Sequence, residues 1–284
     1  MRHAYLIIAH NEFWVLRKLL SALDDVRNDI YVHIDRKVKD VPELSTHYSS
    51  LFVLEDRMDV RWGNISQIAC EYLLWEKAKA NGPYQYYHLI SGTHLPLKNQ
   101  DEIHAFFDDR LGQSMFSHLV RREGDYQEML KLHRYSFFTR YYSSSKSWLA
   151  KLSQFMWKSC IAVQRWLKIS TNDDVQFYWA NNWCSLTQDA VEYLLENKER
   201  IMRRYRWSFC GDEWFAPTEL MNSVLRGSVE NSDVLLFGSI QKSNAIVLSM
   251  DCFESMVGSG CLFARKFSEE NKDVVERISN MIIQ

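Results

Sequence analysis

Four groups of residues in this sequence of 284 residues have types and spacings suited to chemistry. Asp212 and Glu213 stand side by side in Gly211-Asp212-Glu213-Trp214-Phe215. A carboxylate there can take a proton from an attacking hydroxyl. Two acids opening a helix can equally do no more than complement its dipole. Arg265 and Lys266 sit between aromatics in Leu262-Phe263-Ala264-Arg265-Lys266-Phe267. Fixed cations can neutralise an anion that develops during a reaction; by spacing alone they read as two solvated charges beside an aromatic pair. The third group consists of polar clusters that each follow an apolar run: His10-Asn11, Asp35-Arg36-Lys37 and Ser91-Gly92-Thr93-His94. The fourth is aromatic: Trp62, Trp183 and Trp214, which suit stacking on a planar ligand and core packing alike.

The elements that must position these groups alternate. Residues 5–9, 29–35, 51–54 and 86–90 are short apolar runs of strand character. Between them, Phe13, Leu16, Leu19, Leu20 and Leu23 recur with helical spacing, and residues 66–79 form a second helix with Ile68, Ala69, Tyr72, Leu73 and Ala78 on its faces. Strands joined by helical crossovers build an α/β fold with a mainly parallel central sheet and helices on both faces. Ligands of such sheets bind beyond the carboxyl ends of the strands, where the polar clusters fall. Downstream, residues 176–179 read as a strand and 187–205 as one helix, with Thr187 as N-cap.

The middle is different. Residues 117–168 hold ten basic and three acidic side chains, a balance of +7 in a chain whose net charge is −2. Residues 135–142 mix rings with base, Ser143-Ser144-Ser145 is a break, and a helix runs from about Trp148 through Leu167. A basic aromatic helical insertion of this kind suits a membrane interface or packing against the sheet.

The composition excludes several classes. At 46% hydrophobic with 10 Gly and 4 Pro, the chain is neither disordered nor collagen-like. The slightly acidic balance gives no global attraction to nucleic acid. The six cysteines form no Cys-x-x-Cys, which predicts free thiols in a reducing cytoplasm rather than a zinc site or disulfide framework. The opening Met1-Arg2-His3 leads into six apolar residues, too few for a signal-peptide core or a membrane span, so neither leader nor anchor is expected.

Several blocks together resemble glycosyltransferase family 14, the core-2/I-branching β-1,6-N-acetylglucosaminyltransferases and peptide O-xylosyltransferases with their bacterial relatives. The blocks are Tyr5-Leu6-Ile7-Ile8-Ala9-His10-Asn11, Ile30-Tyr31-Val32-His33-Ile34-Asp35-Arg36-Lys37, Val60-Arg61-Trp62-Gly63 with Ser66, His88-Leu89-Ile90-Ser91-Gly92, Leu95-Pro96-Leu97, Trp183-Cys184-Ser185-Leu186-Thr187, Gly211 to Phe215, and Leu262 to Phe267. They stand in family order, and the basic middle contributes none of them.

The resemblance implies a GT-A-like fold and an inverting transfer of a sugar from a UDP-sugar, with no catalytic metal or other cofactor. It makes Glu213 the general base and Lys266 a cation on the diphosphate, with Arg265 beside it. Lys242 is a substitute for a family arginine. His94 stands where many members carry an acid, which removes a possible metal ligand. His10, Asn11, Asp35, Arg57, Trp62 and Ser91 are the expected donor contacts. Trp183, Asp212 and Trp214 are the expected acceptor contacts, with Asn181 and Asn182 as companions.

The resulting expectation is one domain over residues 1–284. Residues 1–116 form the nucleotide-sugar half, 117–170 the basic insertion and 171–284 the acceptor and catalytic half. The enzyme is expected to be cytoplasmic and of bacterial type, with peripheral contact at the inner membrane face through 117–168. It moves N-acetylglucosamine to a glycan or lipid-linked glycan. UDP-xylose as donor, and a non-catalytic nucleotide-sugar or carbohydrate binder, are the alternatives.

Overall fold

The computed structural model describes residues 2–123, 129–238, 240–241 and 244–282. Lys242 lies outside the described residues.

The central sheet is built from β1 (His3–Ala9), β2 (Asn28–Ile34), β3 (Ser50–Val53), β4 (Tyr86–Ser91), β5 (Ser114–Phe116), β6 (Cys184–Thr187) and β7 (Val229–Asn231). Its order is β7-β5-β6-β4-β1-β2-β3. β4, β1, β2 and β3 run parallel, and β6 runs antiparallel to both its neighbours. The sheet is therefore mainly parallel, and β6 joins the later half of the chain to the earlier half. The register aligns Ala9 with Ile34 and Ile8 with Ser91, so the residues following β1, β2 and β4 emerge along one edge.

Alternation along the strands separates two cores. Tyr5, Ile7, Ile30 and Val32 face α1 (Phe13–Leu23), α3 (Gln100–Asp108) and α8 (Lys272–Ile282). Ala4, Leu6, Tyr31 and Leu89 face α2 (Ser66–Asn81), α5 (Gln188–Glu196), α6 (Lys198–Tyr205) and α7 (Phe215–Met221). α1 turns Val15, Leu16, Leu19, Leu20 and Leu23 inward, close to the stripe read from the sequence. α3 opens with a full capping box between Asn99 and Glu102.

Two expectations change. The helix over 187–205 is two helices: Thr187 caps α5 as foreseen, but Asn197 ends it. Both its backbone and side-chain amides donate to Tyr193 O, and a side chain that competes in this way stops the ladder. The insertion forms a long helix, α4 (Ser147–Trp166), which exposes Trp148, Phe155 and Trp166 and turns Trp157 inward, so most of its rings do not pack on the sheet. All six cysteines are free, and Cys70, Cys184, Cys210 and Cys261 are buried.

Candidate active site

A second, three-stranded sheet of Leu95–Pro96, Phe263–Ala264 and Leu236–Phe237 brings the basic pair to the strand ends. Immediately after it, Phe267 N donates to Thr93 O (3.0 Å) and Leu248 N to Lys266 O (2.8 Å). Glu12 clamps the other side. It is left-handed (φ 55°) at the start of α1, and its carboxylate accepts from Ser268 Oγ (3.1 Å) and Glu269 N (2.6 Å). Arg265 and Lys266 are thus fixed between the end of β1 and the end of β4. Gly92 permits this packing, since a Cβ there would stand 2.8 Å from Ala9 Cβ.

A cleft of about 360 Å³ opens at this edge. His10, Asn11, Asp35, Trp62, Ser91, Trp183, Arg265 and Lys266 all line it, together with Lys37, Thr93, Asn182, Gln67 and Glu71. Eight of the sequence-predicted site residues therefore meet in one cavity.

Within it, the Asp35 carboxylate accepts from Lys37 N (2.8 Å) and Val60 N (3.2 Å) and pairs with Lys37 Nζ (3.0 Å). It holds the loop that carries Trp62. Arg57 is not in the wall. Its guanidinium donates to Ile34 O (3.1 Å), Asp35 O (2.8 Å) and Val38 O, so it braces the turn after β2 instead of contacting a donor. Burial pushes the His10 imidazole pKa down, partly opposed by Asp35. Arg265 lies over the Trp183 ring at 5.1 Å. Burial lowers its pKa while the charge of Glu213 works against that.

His94 does not face the cleft. It is fully buried, edge-on to Trp183, and its Nδ1 accepts from Ser91 N (3.0 Å). Burial drives its pKa far down, so the ring is neutral with its proton on Nε2. His33 is a buried strand histidine: its Nε2 accepts from Met58 N (2.8 Å), and its Nδ1 has no partner among the described residues.

Asp212 and Glu213 do not line the cleft; Asp212 is joined to its lining through Gln67. A single turn, Gly211–Glu213, places them. The turn packs under Gly63, whose φ of +69° and close approach to Phe209 admit no side chain. Glu213 accepts from Trp179 Nε1 (3.0 Å) and is half-buried. Asp212 is buried and accepts from Gln67 Nε2 (2.7 Å). Burial first, then the charge of Glu213, pushes Asp212 up to about 7. Trp214 is 2% exposed and lies edge-on to Phe177 in the core, so no face remains for an acceptor sugar.

Sequence reasoning missed Gln67 and Glu71. They lie four apart on α2 and face the cleft together. Glu71 is 1% exposed, with Asn182 as partner to one oxygen and none for Oε1. Burial first, then the charge of Asp212, raises its pKa well above the ordinary range. A lone acid on the apolar side of α2, among Ile68, Tyr72 and Trp75, was the available signal. Among the described residues no group of three or more His, Cys, Asp or Glu side chains is placed to hold a metal ion.

The cleft lies beyond the carboxyl ends of a mainly parallel sheet, where α/β folds bind their ligands, and Lys37, Arg265 and Lys266 are among its lining residues. The model of the core-2/I-branching enzyme family matches residues 3–237, and the chain belongs to that family. It is a glycosyltransferase, built on a mixed α/β fold with a mainly parallel central sheet. The Arg265-Lys266 pair lies beyond the matched range but inside the cleft. No curated protein matches the sequence. Among solved structures, the apo form of mouse xyloside xylosyltransferase 1 is similar at 11% identity and a TM-score of 0.40, over 93% of this chain and 96% of that one. At that score the likeness carries no argument.

Proposed function

We propose that the enzyme moves a sugar, with inversion, from a UDP-sugar to a hydroxyl of a glycan or lipid-linked glycan on the cytoplasmic side of a membrane. The observation that carries this is the single cleft in which the strand-end residues face Arg265 and Lys266. In this reading uridine lies over His10, Asn11 and Asp35, and the diphosphate meets Lys266, Arg265 and Lys37. These fixed cations take the charge of the leaving group, with no metal assigned to that role. Glu213, bridged to the cleft through the Asp212–Gln67 bond next to it, takes the proton of the acceptor hydroxyl. N-acetylglucosamine is the first choice of sugar and xylose the second.

The test is thermal unfolding in the presence of UDP, UDP-N-acetylglucosamine and UDP-xylose. A ligand held only by the folded state raises the midpoint with concentration. Protection by UDP-sugars that is lost in Lys266→Ala is expected. No protection by any uridine nucleotide sinks the donor assignment.

A further inference from the structure

Helix α4 turns a mixed face inward, with Ile161 buried beside Ser153 and Gln164, and exposes an apolar stripe. Toward the body it presents Ser153 and Gln164, both buried, with Trp157 between them. Ser153 Oγ donates to Phe138 O. Gln164 exchanges two bonds of 2.9 Å with the backbone of Tyr135, and Trp157 Nε1 donates to Ser136 Oγ (3.1 Å). Outward, Trp148 is 65% exposed, Phe155 69%, Val163 54% and Trp166 81%, with Leu152 and Met156 among them. At 100° per residue these six fall within an arc of about 100°, and the two terminal tryptophans are about 27 Å apart along the axis. Lys151 and Lys158 follow one edge of the stripe.

We infer that this stripe is a docking face for an anionic membrane surface, on which α4 lies flat. The charge fits that partner. From Tyr135 to Asn172 the chain carries six basic side chains and no acidic one. A rim of lysine beside exposed rings is the pattern of helices that sit at the headgroup boundary. A second copy of the chain fits poorly, because pairing two such faces opposes like charges. No described helix is long and apolar enough to cross a bilayer, so the contact is a surface one.

The face is also mechanically tied to the cleft. The inner ring of α4, Trp157, packs on Tyr142 and Phe209, and both of those pack on Trp62 at the cleft rim. A membrane under α4 therefore sets the height of the cleft mouth above the lipid. An acceptor carried on a lipid gives that placement its use, and only this last clause rests on the proposed function.

Flotation with vesicles of phosphatidylglycerol and phosphatidylcholine tests it without turnover. The protein is expected to float with these vesicles at low salt and not with phosphatidylcholine alone. Lys151→Glu with Lys158→Glu lowers partition roughly tenfold or more. Trp148→Ser with Trp166→Ser abolishes it, and because both rings are exposed the fold survives. UDP protection of the melting midpoint, which these positions do not touch, verifies that in each variant. Absence of flotation at low salt overturns the inference. So does flotation that neutral vesicles match and the lysine reversals leave unchanged. Sedimentation as a dimer that Trp166→Ser dissociates, without vesicle binding, assigns the face to a second copy and overturns it too.

Discussion

Replacing Asp212 by Asn isolates the cost of keeping an acid beside the proposed base. Burial and the charge of Glu213 push the Asp212 carboxyl from 3.8 up to about 7. The folded state therefore holds the Asp212 proton more tightly than the unfolded chain does. The resulting stability is complete below the unfolded value of 3.8 and is lost as pH rises through about 7. Three units at 1.36 kcal/mol each amount to about 4 kcal/mol of strain once Asp212 is ionised. Asn keeps the shape and the oxygen that accepts from Gln67, and it cannot ionise. Urea unfolding should show Asp212→Asn gaining on the wild type by about 4 kcal/mol between about pH 4 and pH 8, most of it before pH 7. The gain should follow a single titration. A difference that stays constant with pH, or a variant that loses ground as pH rises, refutes the reasoning. The same ionisation should appear as an inflection near pH 7 in the kcat/KM profile of the wild type that is missing from the variant.

Glu213→Gln keeps an oxygen for Trp179 but cannot accept a proton, so kcat should fall by roughly 10²–10⁴ while UDP protection of the melting midpoint stays intact. A variant within a few-fold of wild type removes Glu213 from the role of base. Lys266→Ala should weaken UDP binding and turnover together, because its charge lies in the cleft beside Arg265. Wild-type turnover should persist in EDTA, and inactivation by chelator that Mn²⁺ restores would show that a metal does this work.

The donor wall was legible because its signal is local. A strand that ends in a polar cluster can be read from a few residues, and His10, Asn11, Asp35 and Ser91 all reach the cleft. Arg57 was misplaced because its neighbours in sequence do not reveal that three carbonyls of the preceding turn surround it. Trp214 was misplaced for a similar reason: one residue separates a half-buried Glu213 from a ring in the core, and a short helical turn decides which is which. Glu71 needed knowledge of which face of α2 looks into the cleft. The spacing of Trp148, Leu152, Phe155 and Trp166 placed them on one side of a helix, but not which side. That was settled by Ser153 and Gln164, whose polar groups satisfy backbone atoms of Phe138 and Tyr135. A buried carbonyl without a partner costs more than an exposed ring, so the side that carries Ser153 and Gln164 turned inward.

Glu71 in the cleft, with Asp212 and Glu213 near it, raises a physical difficulty. Three carboxylates in that space would repel one another and weaken binding of an anionic donor. The structure relieves this by burial. Burial raises the carboxyl pKa of Glu71, lodged in α2, well above the ordinary range, and Asp212 is pushed up to about 7. Glu213 is the one of the three that is not fully buried, and it takes its hydrogen bond from the Trp179 indole. A protonated acid next to it can donate hydrogen bonds to sugar hydroxyls, which a carboxylate cannot do. Lys37, Arg265 and Lys266 stand in the lining of the cleft. In the proposed reading Glu213 supplies the base, and Lys266 with Arg265 supplies the charge that meets the leaving group. A single displacement needs negative charge withdrawn at one end while a proton is taken at the other.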